Sequence, residues 1–237
     1  MSTAYLFDVD GTLTPSRQSM DPKFRIWFCE FMSENAVYLV TGSDYAKTVE
    51  QLGVTITENV KAVYNCSGND VWMGGKNVHT NNWQLPEEMH NFLSERLADS
   101  EFSLRTGLHF EHRPGMVNFS IVGRNATMDE RKLYVEYDTH TNERDKIAKE
   151  FNELFGDTVV ATAGGETGLD IYPVGKDKAQ IISDFSYYDS IVFFGDRCDP
   201  QGNDYTLSQA VTALSERGSY YNVKGWKDTW NILEEIA

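Results

Sequence analysis

The apolar segment Tyr5-Leu6-Phe7 runs directly into Asp8-Val9-Asp10-Gly11-Thr12-Leu13-Thr14, so a buried strand breaks abruptly into two carboxylates, a glycine and hydroxyl residues. Side chains along an extended strand repeat with period two, which sends Asp8 and Asp10 to the same side as the chain leaves its sheet. Two like charges at close quarters cost energy unless a cation neutralises them. The pair is therefore a candidate magnesium site in which one carboxylate is free to act as a nucleophile. An Asp-x-Asp-Gly run also opens calcium loops, but those need Gly at the sixth position and Glu at the twelfth. Counted from Asp8, these positions hold Leu13 and Ser19, which disfavours calcium. A plain surface turn is the alternative for this tetrad taken alone.

The 237 residues suffice for one large domain or two smaller ones, and 41% hydrophobic with 13% aromatic residues can fill sizeable cores. No stretch approaches the roughly 18 apolar residues of a membrane span. Asp8 and Asp10 also interrupt the region where a signal peptide needs an uncharged segment, so the expected location is cytoplasmic. Cys29, Cys66 and Cys198 lack metal-ligand spacing and read as free thiols in a reducing compartment. A net charge of −15 repels phosphate backbones and anionic lipid, which argues against nucleic acid and membrane surfaces as partners. Between Arg105 and Lys132, however, five basic residues (Arg105, Arg113, Arg124, Arg131, Lys132) face three acidic ones (Glu111, Asp129, Glu130). Such an island suits an anionic small molecule, the alternative being solvated faces of a sheet and a helix.

Asp21-Pro22 supplies a helix cap and first-turn proline, after which Phe24, Trp27, Phe28, Phe31 and Met32 form a core-facing stripe. Ala36 to Val40 reads as a buried strand, and Thr41-Gly42-Ser43-Asp44 caps a helix running to about Leu52. This is the βαβ rhythm of a parallel sheet. It returns in a helix from Lys178 to Phe185, a strand from Ser190 to Phe194 and a closing helix from Thr229 to Ile236. The middle differs: antiparallel strands are expected around Arg113-Pro114-Gly115 and Val117 to Val122, and a capping box at Thr127 to Glu130. An amphipathic helix from Glu143 to Phe155 and a strand pair flanking Gly164-Gly165 complete it. The expected architecture is an α/β core of parallel sheet, residues 1–80 and 177–237, carrying an inserted α+β domain, residues 81–176.

Four separate elements end in polar residues suited to phosphate: Asp8 with Asp10, Thr41 with Ser43, Lys178, and Gly195-Asp196 followed by Gly202-Asn203-Asp204. In open α/β sheets ligands collect at the carboxyl ends of strands, so these elements can share one crevice. Singly, Thr41 is an ordinary helix cap, Lys178 a surface lysine and Asp196 a turn residue; the conjunction is what carries information.

The order Asp-Val-Asp-Gly-Thr-Leu-Thr, a later Thr/Ser, a lysine and Gly-Asp-x(6)-Asn-Asp resembles the haloacid dehalogenase superfamily of aspartate-nucleophile phosphotransferases. More narrowly, the chain is similar to the eukaryotic-type phosphomannomutases, through Thr12 to Gln18, Gly42-Ser43-Asp44, Arg113 to Asn118, Gly123-Arg124, Glu130-Arg131, Gly164-Gly165, Asp170 and Phe193 to Asp196. The arginine series is the discriminating part, since many phosphatases share the core motifs. The resemblance implies a Rossmann-like core with an inserted cap. It makes Asp8 the nucleophile that forms an aspartyl phosphate, and Asp10 the acid and base for the sugar oxygen. Magnesium would be held by Asp8, the backbone carbonyl of Asp10, and Asp196. Thr41 or Ser43 would donate to the transferring phosphoryl group, Lys178 would offset its charge, and Asn203 and Asp204 would orient Lys178 or metal-bound water. Arg113, Arg124 and Arg131, assisted by Arg17, would grip the phosphate that is not reacting, with Asp170 on the sugar hydroxyls. A hexose 1,6-bisphosphate activator, cap closure against water and a homodimer through the cap follow from the same resemblance.

Three positions depart from the family pattern. Thr41 stands where the family usually has Gly, Gly168 replaces a common serine two residues before Asp170, and Pro114 replaces a common Asn. Loss of one hydrogen bond, about 0.5–1.5 kcal/mol, weakens binding without abolishing it. The main alternative is a magnesium-dependent sugar-phosphate phosphatase, in which water reaches the aspartyl phosphate first. The arginine series favours the mutase, because hydrolysis needs no clamp on a distal phosphate. A catalytically silent sugar-phosphate sensor is a third reading, and it is disfavoured by the retention of Asp8, Asp10, Lys178 and Asp196 together.

Overall fold

The computed structural model describes residues 2–200 and 202–236. It divides into two compact units, one running up to Asn81 and resuming at Lys176, the other Asn82–Gly175. No helix among the described residues is long and apolar enough to cross a membrane.

The first unit is built on β1 (Thr3–Phe7), β2 (Ala36–Val40), β3 (Ala62–Asn65), β4 (Asp70–Met73), β5 (Lys76–Thr80), β10 (Ser190–Gly195) and β11 (Gly218–Asn222). These form a seven-stranded sheet ordered β11-β10-β1-β2-β3-β4-β5. The five strands from β11 to β3 are parallel, and β4 and β5 extend the edge as an antiparallel hairpin. From β1 the chain builds outward to β2 and β3 on one side and later to β10 and β11 on the other. The strand order therefore switches between β1 and β10, and a crevice opens at their carboxyl ends.

Both faces of the central strands β10, β1, β2 and β3 are covered, which explains why these strands read as largely apolar runs. Tyr5 and Phe7 pack on α1 (Pro22–Glu34), with Tyr5–Phe31 and Phe7–Phe28 ring centroids 5.1 and 5.3 Å apart. That helix begins where the Asp21 carboxylate accepts the amides of Lys23 and Phe24, and it ends at extended Asn35. Ala4 and Leu6, one position out of phase, join Ile181, Phe185, Leu207 and Val211 in the core of the opposite face. The segment Lys178–Phe185 is 3₁₀ rather than α-helical. Its buried residues Lys178, Ile181 and Phe185 recur at three- and four-residue spacing, which either helix type satisfies, so the pattern alone does not separate them. The last helix, α8 (Trp226–Ile236), starts three residues earlier than its apolar pattern suggests.

The second unit holds β6 (Phe110–Arg113), β7 (Met116–Phe119), β8 (Val159–Gly164) and β9 (Gly168–Pro173) in an antiparallel sheet ordered β6-β7-β9-β8. With it fold α4 (Glu87–Asp99), α5 (Met128–Thr141) and α6 (Glu143–Phe155). Thr127 and Glu130 close a reciprocal capping box at the start of α5. Phe119, Leu169, Ile171 and Ala161 point into a core with Phe92, Leu93, Tyr134 and Phe151. The intervening register row holds Glu111, Asn118, Asp170 and Thr162, one residue from each strand. Period two therefore gives this sheet one apolar face against the helices and one polar face.

Candidate active site

Asp8 follows the last residue of β1, and its amide donates to the carbonyl of Phe194 on β10 at 2.9 Å, so the strand pairing itself fixes where the side chain emerges. Lys178 reaches it from the 3₁₀ segment. Its Nζ lies 2.5 Å from Asp8 Oδ1 and 2.7 Å from Asp204 Oδ1, and all three side chains are buried. Asp204 in turn accepts the Arg197 amide through Oδ2 at 3.1 Å. Burial opposes the charge on Lys178, but Asp204 and Asp8 outweigh it and hold the ammonium above the usual lysine range. Burial pushes the Asp8 carboxyl well above the carboxylate range; Lys178 pulls it back, while Asp204 and Asp196 add to the rise.

Asp196 follows β10, and burial together with Asp204 pushes its carboxyl up to about 6, against the pull of Lys178. Its closeness to the first loop dictates a glycine: a Cβ on Gly11, where φ is +85°, would lie 2.3 Å from Asp196 Oδ2. Asp8, Asp196 and Asp204 each place a carboxylate oxygen within 4.8 Å of the others. Three clustered carboxylates, Asp8 and Asp204 buried and Asp196 half-buried, against one ammonium leave a surplus of negative charge, and a hard divalent cation is its natural complement. Gly11 and Asp196 also border a cavity of about 480 Å³ rimmed by Lys224, Trp226 and Lys227.

Thr41 extends β2 and is buried, its Oγ1 accepting the Ser43 amide at 3.1 Å. The Ser43 hydroxyl lies 3.3 Å from Asp10 Oδ2. The other Asp10 oxygen accepts two donors, the Arg17 amide at 2.6 Å and Gln51 Nε2 at 2.8 Å. Arg17 reaches this position with φ +59°, a left-handed conformation rare for a side-chain-bearing residue, while its side chain is exposed. Asn203 sits in the same region, its Nδ2 3.9 Å from where a Cβ on Gly42 would lie. The first unit thus gathers Asp8, Asp10, Thr41, Ser43, Lys178, Asp196, Asn203 and Asp204 at the carboxyl ends of β1, β2 and β10.

In the second unit, Glu111 pairs with both Arg113 (Nε to Oε1, 3.0 Å) and Arg124, and despite burial the two guanidinium groups hold its carboxyl below the usual range. Arg131 is buried on the first turn of α5. Arg105 belongs to another structure altogether: its guanidinium binds the carbonyls of Leu97, Ser100, Phe102 and Leu104 and ties down its own loop. Of the basic segment, Arg105 is thus committed to its own loop, whereas Arg113 and Arg124 share Glu111. On the polar sheet face Asn118 Nδ2 donates to Asp170 Oδ1 at 2.6 Å. A Cβ on Gly168 would come within 2.6 Å of that Asn118 amide, so the glycine makes room for the Asn118–Asp170 pair.

Gln51, Glu111 and the turn Cys66-Ser67-Gly68 were not legible as functional residues in the sequence. That turn carries three consecutive positive φ angles, and the amides of Cys66 and Ser67 donate to the carbonyls of Ser43 and Thr41, bracing the hydroxyl-bearing loop from behind. The next residue, Asn69, donates to the Lys176 carbonyl at 3.1 Å and accepts from Asn81 Nδ2 at 2.9 Å, joining the two segments by which the chain leaves and re-enters this unit. For Gln51 the available signal was a polar residue on the buried stripe of its helix.

The fold is shared with solved structures of low sequence identity. An IMP-bound Plasmodium falciparum IMP-nucleotidase mutant superposes with a TM-score of 0.68 at 13% identity, covering 99% of this chain and 68% of that one. A haloacid dehalogenase-like hydrolase from Bacteroides thetaiotaomicron gives 0.62 at 12% identity with both chains fully covered. Sequence relatives are more specific. Phosphomannomutase from Drosophila melanogaster is 34% identical over 243 residues, 98% of this chain and 94% of its own length. The Saccharomyces cerevisiae phosphomannomutase is 32% identical over 244 residues, 99% of this chain and 94% of its own length. A family model described as eukaryotic phosphomannomutase matches residues 26–237, and the relatives extend that match across the Asp8 loop. A haloacid dehalogenase-like fold, the family model and relatives aligned over nearly their full length agree: the chain belongs to the eukaryotic phosphomannomutase family.

Proposed function

We propose that this protein interconverts mannose 6-phosphate and mannose 1-phosphate through an aspartyl phosphate on Asp8 and a hexose 1,6-bisphosphate. The observation that carries the chemistry is the buried Asp8–Lys178–Asp204 array at the strand-order switch, with Asp196 close by. Lys178 occupies Asp8 Oδ1 and leaves Oδ2 as the attacking oxygen. As the bond from Oδ2 to phosphorus forms and the bond from phosphorus to the sugar oxygen breaks, Asp10 delivers a proton to that oxygen. In the reverse direction Asp10 removes the proton from the incoming hydroxyl. Thr41 Oγ1 accepts the Ser43 amide, which turns its own O–H toward the phosphoryl group; Ser43 addresses Asp10. Asp204 keeps Lys178 charged and aimed, and Asn203 lines the same loop.

Asp8, Asp196 and the backbone carbonyl of Asp10 would hold Mg²⁺, which when bound supplies charge neutralisation to the transferring phosphoryl group. Arg113, Arg124 and Arg131 bind the phosphate that is not reacting, with Arg17 assisting, and Asp170 takes sugar hydroxyls. The retention of these guanidinium groups favours the mutase over hydrolysis. The same reading makes a hexose 1,6-bisphosphate the activator, and includes a cytoplasmic location and a homodimer formed through the second unit.

The test is phosphorus NMR of the purified protein with Mg²⁺, mannose 1-phosphate and a trace of hexose 1,6-bisphosphate. Appearance of mannose 6-phosphate supports the mutase. Release of inorganic phosphate alone rejects it in favour of a phosphatase.

A further inference from the structure

The carboxylate of Asp10 is held asymmetrically. Oδ1 accepts the Arg17 amide at 2.6 Å and Gln51 Nε2 at 2.8 Å, whereas among the described residues Oδ2 meets the Ser43 hydroxyl alone, at 3.3 Å. Gln51 lies on α2 (Tyr45–Leu52) and is 1% exposed. Its amide nitrogen also donates to Thr14 Oγ1 at 3.2 Å, and Thr14 donates onward to the Val9 carbonyl at 3.3 Å. The Arg17 amide already donates to Oδ1, so this oxygen acts as an acceptor, and the amide nitrogen of Gln51, not its oxygen, faces it. That choice leaves Gln51 Oε1 buried without a hydrogen-bond partner among the described residues. An apolar residue would fill this place in the helix stripe without that cost, so packing alone does not account for the amide. Arg17 makes its own contact from a left-handed backbone conformation, a second local strain aimed at the same oxygen.

We propose that Gln51 is a positioning residue for proton transfer: with the Arg17 amide it pins Oδ1, so that Oδ2 is the oxygen that gives the proton to the leaving sugar oxygen and takes it from the attacking hydroxyl. The inference rests on Asp10 being the acid and base. In the step concerned, the Asp8 oxygen–phosphorus bond forms, the phosphorus–sugar oxygen bond breaks and the proton passes from Oδ2 to that oxygen. Gln51 touches none of the reacting atoms. Its loss lets the carboxyl rotate and slows only reactions whose leaving group needs a proton.

The experiment measures single-turnover phosphorylation of Asp8, with Mg²⁺ present, from mannose 1-phosphate and from 2,4-dinitrophenyl phosphate, whose phenolate departs unprotonated. Wild type, Gln51→Met, Thr14→Val and Asp10→Ala are compared. Gln51→Met should slow transfer from the sugar phosphate at least tenfold more than transfer from the dinitrophenyl ester, Thr14→Val in the same sense but less, and Asp10→Ala most. A merely structural role for Gln51 slows both donors alike. That outcome, or no slowing of either, overturns the inference while Asp10→Ala retains its leaving-group dependence. If Asp10→Ala shows no such dependence, the acid–base reading of Asp10 falls and this inference falls with it. Should Gln51→Met not fold, equal slowing of both donors by Thr14→Val, which frees the same amide, overturns it.

Discussion

Replacing Lys178 by methionine preserves a long unbranched chain and removes the only ammonium among the described residues that contacts Asp8 and Asp204. The lysine side chain is 0% exposed and both contacts are short, 2.5 and 2.7 Å, so the two carboxylates are left buried and uncompensated. Breaking a buried ion pair from one side costs about 3–5 kcal/mol, a large share of the roughly 5–15 kcal/mol that holds a domain together. The carboxylates can recover this by binding a proton. Because their folded-state pKa is then raised above the unfolded value, the folded variant holds a proton that the unfolded chain releases, and stability falls as pH rises through that window. At about 1.4 kcal/mol per pH unit, a deficit of about 4 kcal/mol at pH 8 should shrink to near zero at about pH 5. Urea unfolding of wild type and Lys178→Met at both pH values, with chelator present, measures the difference. Adding Asp204→Asn to the variant should return part of the loss at pH 8. A deficit below about 1 kcal/mol at pH 8, or one independent of pH, would refute the buried-triad argument.

Asp196, with its carboxyl pushed up to about 6 by burial and Asp204, gives the metal-free protein a similar sign on a smaller scale. Its contribution, about 3 kcal/mol for a carboxyl raised from the usual carboxylate range to about 6, is present below pH 4 and lost by about pH 6, so Mg²⁺ should raise the melting temperature more at pH 7.5 than at pH 5. Equal shifts at both pH values would contradict this. Gly168→Ser, which drives a Cβ into Asn118, should destabilise the second unit by about 1–3 kcal/mol in urea; unchanged stability would show that the Asn118–Asp170 pair can move aside. Arg124→Ala removes one of the two guanidinium groups on Glu111 and should raise the concentration of bisphosphate needed for activation about 10–100-fold, with a smaller effect on dinitrophenyl phosphate. Equal effects on both would remove Arg124 from distal-phosphate binding.

Local signals were readable in the sequence. The β1 run into Asp8, the Asp21-Pro22 cap of α1 and the Thr127–Glu130 box each act within a few residues, and each is present. The parallel sheet with its inserted α+β unit followed from the alternation of such segments. Residues whose role arises from long-range contact were not readable. Gln51 looked like one polar position on a short helix until the Asp8–Thr14 loop folded over it. Glu111 reads in the sequence as one of three acids among five bases, and only the fold brings it between Arg113 and Arg124. Gly168 looked like a lost hydrogen-bond donor, whereas the neighbouring strand shows that the space is filled by Asn118. The β4–β5 hairpin has no sequence signature, because every residue of β5, Lys76–Thr80, is exposed and the strand carries no apolar alternation.

The account turns on covalent capture of phosphate by Asp8. Incubation with Mg²⁺ and hexose 1,6-bisphosphate, acid quench, borohydride reduction and peptide fragmentation by mass spectrometry locate the acyl phosphate directly. Reduction should occur at Asp8 alone and vanish in Asp8→Asn. Modification at Asp10 or at a hydroxyl residue, or turnover by Asp8→Asn, would contradict it.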